Sequence, residues 1–114
     1  HGWESWDKFP LQREKLFKLI DESNLSNIFI LSGDRHRGGF YKFKTVGNNN
    51  IYEFTSSSLN LPIPFNAEEE GPLRIGSTYR KANFGVVRLF EDEVVMELTS
   101  NRGKVVNSLK VAIN

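Results

Sequence analysis

The segment Ile28 to Leu31 is an unbroken apolar run that stops at Ser32-Gly33 and is followed at once by a carboxylate and an imidazole, Asp34 and His36. A short run without alternation reads as a strand buried on both faces. It constrains the chain more than any other stretch, because other elements must then cover both of its sides. In layered α/β folds, ligands gather beyond the carboxyl ends of such strands. A hard oxygen donor and a borderline nitrogen donor at i and i+2 of an extended loop can reach one ion or two neighbouring ions. Ser-Gly-Asp is also ordinary turn chemistry, and the spacing alone leaves both readings open.

The rest of the chain supplies elements to cover that strand. Pro10 suits the first turn of a helix, and Phe9, Leu16, Leu19 and Ile20 recur at helical spacing. The pattern predicts a helix from about Pro10 to about Ser23, packed on the face of the sheet that holds the apolar strand. Beyond Gly38-Gly39 the chain alternates: Tyr41, Phe43 and Thr45 face one way, and Lys42, Lys44 and Val46 the other. With a turn over Gly47 to Asn50 and the run Ile51 to Thr55, this predicts a β-hairpin. Residues 56 to 82 hold Leu59 to Phe65 with two prolines and the acidic run Glu68 to Glu70, and have little periodic signal. Irregular stretches of that length in compact domains are functional or disordered. The runs Phe84 to Phe90, Val94 to Thr99 and Val105 to Ile113, separated by compact polar turns, predict an antiparallel meander. The expectation is an α+β fold, a single unit over residues 1–114. It would have one main helix, about six mostly antiparallel strands and at least one sheet face in need of cover.

With 114 residues, 39% hydrophobic and 25% charged, the chain has the composition of one globular domain with a real core. Fifteen basic and fourteen acidic residues give a net charge of +1, so no whole-domain field argues for nucleic acid or an anionic membrane as a partner. No apolar run approaches the ~20 residues of a membrane span. With no cysteine, disulfides and thiolate metal ligands are excluded. The chain opens on His1-Gly2-Trp3 without a methionine and places two tryptophans, Trp3 and Trp6, in its first segment. That pattern suggests a piece of something longer, whether processed, cloned or proteolysed. The tryptophans would line a pocket or close a core. His1 is as readily a tag scar as a ligand.

Other residues could share chemistry with Asp34 and His36. Arg35 and Arg37 flank the histidine, and a guanidinium beside a metal-bound phosphate grips its oxygens in bidentate fashion. Gly38-Gly39 suggests that the chain has already left the site at Arg37. Thr55 to Ser58 places four hydroxyls where a strand ends, so Ser56 and Ser57 are candidates for hydrogen bonds to a phosphate or to a ligand, although such clusters also form plain turns. The segment Arg37 to Phe43, RGGFYKF, has the basic and aromatic interleaving of an RNA-stacking strand. That fold needs two helices and this chain offers one, so core-facing aromatics are the simpler account of Tyr41 and Phe43.

Taken together, GWESWDKFPLQREKL, FILSGDRH, YEFTSSSLN and NFGVVRLF, in this order over nearly the whole chain, resemble the carboxy-terminal part of PhoD-like metallophosphatases, the alkaline phosphatase D group. In that family the Gly-Asp-x-His segment, here Gly33-Asp34-Arg35-His36, is similar to the Gly-His-x-His block of calcineurin-like phosphoesterases. The resemblance implies that Asp34 and His36 are late ligands of a two-metal centre, with iron, calcium, zinc or manganese as the divalent or trivalent ions, acting on phosphate esters. Two metals clamp phosphate oxygens and lower the pKa of a bound water. It also implies that this chain is about half of a four-layer α/β/β/α sandwich, because the family's early ligand motifs have no counterpart here. Such a piece would be inactive alone and would need the upstream half or self-association to cover an apolar sheet face, and the parent protein would be secreted or periplasmic. The rival reading is a β-rich interaction domain in which Asp34 and His36 are turn residues.

Overall fold

Pro10 opens the main helix, α1 (Pro10–Glu22), in the computed structural model of this chain, which describes residues 5–63 and 71–113. Its fixed φ and missing N–H suit the first helical position, where no intrahelical bond is lost. A single 3-10 turn, Trp6–Lys8, precedes it. Trp6 lies 54% exposed there and closes no core; His1 and Trp3 lie outside the described residues.

Four strands form the first sheet: β1 (Ile28–Ser32), β2 (Gly38–Lys44), β3 (Asn50–Thr55) and β4 (Arg74–Tyr79), in the order β1-β3-β2-β4. β1 runs parallel to β3, and the other pairs are antiparallel. A second sheet is the antiparallel meander β5 (Asn83–Leu89), β6 (Glu93–Ser100) and β7 (Val105–Ala112). The fold is therefore α+β, with one main helix and seven strands in two mostly antiparallel sheets among the described residues. No helix there is long and apolar enough to cross a membrane.

The alternation in β2 assigns its two faces. Directly opposed residues share a face of the sheet, so the pair Phe43 and Ile51 lies on one side and the pair Phe40 and Phe54 on the other. The helix covers the first side: Phe17 meets Phe43 with ring centroids 4.6 Å apart, and Ile20 and Ile51 are buried. The second side faces the other sheet. Phe40 and Phe54 stack at 4.9 Å, and Val94, Met96 and Leu98 of β6 and Val111 of β7 complete one core cluster with them.

Two glycines let the sheets interlock. A Cβ on Gly38 of β2 would strike the Leu98 side chain, and one on Gly85 of β5 would lie 2.8 Å from two atoms of the Phe54 ring. Each sheet thus receives a large side chain of the other where its own side chain is missing.

Two elements depart from the sequence expectation. β1 is an edge strand among the described residues, paired only with β3, and Leu31 is 64% exposed. An apolar run has the same pattern whether its cover is present or not. β4 falls inside the stretch expected to be irregular, and it is the seventh strand where about six were anticipated. Its pairing with β2 shifts register between Gly38 and Phe40, and Gly76 has φ +69°, so a bulge erases the alternation that would have revealed a strand. The acidic run Glu68 to Glu70 lies outside the described residues.

The end of α1 is tied to the β2–β3 turn by one carboxylate. Asp21 accepts hydrogen bonds from the Thr45 hydroxyl, from Gly47 N–H at 2.9 Å and from the Asn49 amide at 2.8 Å. These donors, led by Thr45 and then Asn49, favour the charged form and hold its pKa below the ordinary 3.8. A carboxyl whose pKa is lower in the folded state stabilises the fold above its unfolded value, and that contribution disappears as pH falls through the folded value. Asp21→Asn should therefore lower Tm at pH 7, and the gap to the wild type should close as pH drops below 3.8; a gap that persists unchanged in acid would show that charge plays no part. Gly85→Ala should cost about 1–3 kcal/mol by overpacking the Phe54 ring, measurable by urea unfolding.

Candidate functional site

β1 and β3 are parallel, so their carboxyl ends lie side by side and the loops that leave them start together. The Ser32 hydroxyl donates to Glu53 Oε1 at 2.6 Å and lies 2.7 Å from Thr55 Oγ1, while Ser56 N–H donates to Ser32 O at 3.1 Å. The two strand ends are thus fastened together, and Gly33 to Arg37 runs beside Ser56 to Ser58.

The first of these loops turns sharply. Asp34 and His36 both have left-handed backbones, with φ +59° and +52°. Asp and His enter that region more readily than most residues, yet two such residues so close together store strain of the kind that collects at functional sites. The turn is held by His36. Its N–H donates to Ser57 Oγ at 3.2 Å, and its ring Nδ1 lies 2.5 Å from the Leu61 carbonyl oxygen. A carbonyl only accepts, so Nδ1 carries the proton, and in the neutral ring Nε2 is the nitrogen with the lone pair. The Leu61 carbonyl is itself positioned, since Leu61 N–H donates to Ser58 Oγ at 2.7 Å.

Asp34, His36, Ser56 and Ser57 line a single cavity of about 590 Å³, whose apolar wall includes Leu31 and Phe84. Four of the residues singled out from sequence are therefore brought together. Arg35 is directed elsewhere: its guanidinium donates to Tyr41 OH at 2.9 Å, lies 5.5 Å from that ring's centroid, and does not line the cavity. Arg37 is buried, with its guanidinium 3.5 Å from Thr78 Oγ1.

One residue that sequence reasoning passed over belongs here. Asn83, 1% exposed at the start of β5, makes hydrogen bonds to Ser56 and Ser57. Asn83 opens NFGVVRLF, one of the stretches that carry the family resemblance, but by itself an asparagine after Lys-Ala reads only as a turn residue.

The donor set suits part of a metal centre. Asp34 offers a carboxylate, and His36 an imidazole whose Nε2 would be the ligating nitrogen while Nδ1 faces the Leu61 carbonyl. Among the described residues no group of three His, Asp or Glu side chains is arranged to hold an ion, and divalent ions commonly take four to six donors.

Over 36 residues, 32% of its length, the chain is 42% identical to alkaline phosphatase D of Bacillus subtilis. That stretch covers 6% of the relative, so the chain spans only a small part of the protein it matches. The likeness is to a phosphatase, and it is confined to about a third of this chain. No family model and no solved structure matches the chain.

Asp34 is exposed and makes no side-chain hydrogen bond within the described residues. Asparagine tolerates a left-handed backbone as well as aspartate does. Asp34→Asn should therefore change stability by no more than about 0.5 kcal/mol, while it removes the charge from the cavity. Thermal unfolding checks this, and a loss well above that figure would mean that the carboxylate holds the fold.

Proposed function

We propose that this chain is part of a metal-dependent phosphoric-ester hydrolase of the PhoD-like kind, in which Asp34 and His36 supply two ligands to a two-metal centre. The observation that carries this reading is that Asp34 and His36 line one cavity while His36 Nδ1 lies 2.5 Å from the Leu61 carbonyl oxygen, a partner that would leave Nε2 as the ligating nitrogen. The short identity to alkaline phosphatase D supports the same reaction class.

In this reading the remaining ligands come from residues of a longer parent, and the present chain alone is inactive. The helix and two sheets would be about half of a four-layer α/β/β/α sandwich, as in calcineurin-like phosphoesterases. The exposed edge of β1 would receive either the upstream half or a second copy. When bound, the ions would polarise the phosphoryl group and generate a hydroxide nucleophile from water. Ser57, whose hydroxyl accepts from His36 N–H and keeps its own proton, would donate a hydrogen bond to a phosphate oxygen, whereas Ser56 would do so only by leaving Asn83 Oδ1. Arg35 would reach the substrate only by leaving Tyr41.

A second reading, a β-rich interaction domain with Asp34 and His36 as turn residues, is favoured by the lack of a third donor among the described residues. Metal analysis and hydrolysis of p-nitrophenyl phosphate and its bis-ester, on the full-length parent and on this chain side by side, separate the two. Metal and turnover are expected in the parent alone, and Asp34→Ala or His36→Ala should lower turnover by at least ~100-fold. Near-normal activity in either variant, or a folded parent without metal or turnover after reconstitution, would leave the interaction-domain reading standing.

A further inference from the structure

A side-chain amide that is 1% exposed must satisfy two acceptor sites and two donors inside the protein, and Asn83 satisfies all four. Its Oδ1 accepts from the Ser56 hydroxyl at 2.9 Å and from Ser57 N–H at 3.1 Å. Its Nδ2 donates to Ser57 O at 2.7 Å and to Lys81 O at 2.8 Å. The amide therefore binds both peptide groups of Ser57, as a neighbouring strand would. The backbone of Asn83 adds a bond to Ser58 O at 3.1 Å.

The slot is shaped for this amide. A Cβ on Gly38 would come 3.0 Å from Asn83 Oδ1, and one on Gly85 would come 3.1 Å from Ser56 Cβ. Aspartate has the same shape but no donors, so it would leave the Ser57 and Lys81 carbonyls without theirs. Glutamine is one methylene too long for so closed a space.

Both partners of His36 belong to the segment that Asn83 holds. Ser57 provides the hydroxyl that accepts from His36 N–H, and Leu61, fixed through Ser58, provides the carbonyl that accepts from the ring. We propose that Asn83 is a positioning residue for His36, acting through the Ser57–Leu61 segment to fix the tautomer and direction of the imidazole. Asn83 touches neither substrate nor metal in this scheme. Its importance for catalysis rests on the reading of His36 as a ligand, whereas its effect on the imidazole does not.

The test is long-range ¹H–¹⁵N correlation of the His36 ring in ¹⁵N-labelled chain, with His36→Gln to assign the signals. The wild type should show the Nδ1–H tautomer. In Asn83→Asp the population should move toward Nε2–H, with the circular dichroism spectrum and methyl dispersion retained. Ser57→Ala should move it in the same direction, and the double variant should move it no further than Asn83→Asp alone, because both changes act along one path. An unchanged tautomer in folded Asn83→Asp overturns the proposal. Should Asn83→Asp fail to fold, Ser57→Ala decides, and an unchanged tautomer there overturns it equally. In the metal-binding parent, Zn²⁺ affinity of Asn83→Asp should fall about 10–100-fold. A wild-type parent that binds no metal would sink the hydrolase reading and leave the tautomer result to stand or fall by itself.

Discussion

The reciprocal insertion of Leu98 over Gly38 and of Phe54 against Gly85 is the contact on which the rest of the structure depends. Sheets that pack through ordinary side chains stay about 10 Å apart, and a glycine on each side lets one large side chain of the other sheet approach the backbone directly. Because the two insertions run in opposite directions, they fix both the separation of the sheets and their offset. Phe54 stands two residues before Ser56, and Gly85 two residues after Asn83. The seating of the ring against Gly85 therefore sets the distance between the serine segment and the amide that holds it. The core is the scaffold of the site in a literal sense.

The candidate site inherits order from that core but carries strain of its own. A left-handed non-glycine residue costs at most about 1–2 kcal/mol, and less for Asp and His than for most, and Asp34 and His36 are two of them. A typical hydrogen bond returns about 1 kcal/mol net, so the bonds from His36 to Ser57 and Leu61 only about offset the backbone cost of the turn. The turn is held in place by the neighbouring loop more than by its own preference. This is why a residue as distant in sequence as Asn83 can matter to it.

What could be read from the sequence follows from how local each signal is. The start of α1 at Pro10, the alternation that separates Tyr41 and Phe43 from Lys42 and Lys44 in β2, and the final meander are set by residues within a few positions of one another, and all were legible. Asp34, His36, Ser56 and Ser57 were legible as polar residues where strands end, and the parallel pairing of β1 with β3 brings them to one cavity. The edge position of β1 was not legible, because Ile28 to Leu31 has the same apolarity with or without a second neighbour. β4 was hidden by the bulge at Gly38 and the left-handed Gly76. The departure of Arg35 toward Tyr41 depends on which face of β2 the loop reaches, and the role of Asn83 on burial 26 residues away from Ser57. Neither leaves a trace in local pattern.

The partner chosen for the His36 ring bears on the chemistry it can do. An imidazole that acts as a general base must carry positive charge after it takes a proton, and such histidines are commonly oriented by a carboxylate that stabilises the imidazolium. His36 is oriented by the neutral carbonyl of Leu61, toward which Nδ1 points. The half-buried carboxylate close to these strand ends, Glu53, is engaged with Ser32 and Thr55 instead. A metal ligand, by contrast, stays neutral throughout turnover and needs only that its second nitrogen be held in direction, for which a backbone carbonyl is sufficient. In the proposed hydrolase, the backbone carbonyl at Nδ1 is therefore a sufficient partner for Nε2 to act as a ligand.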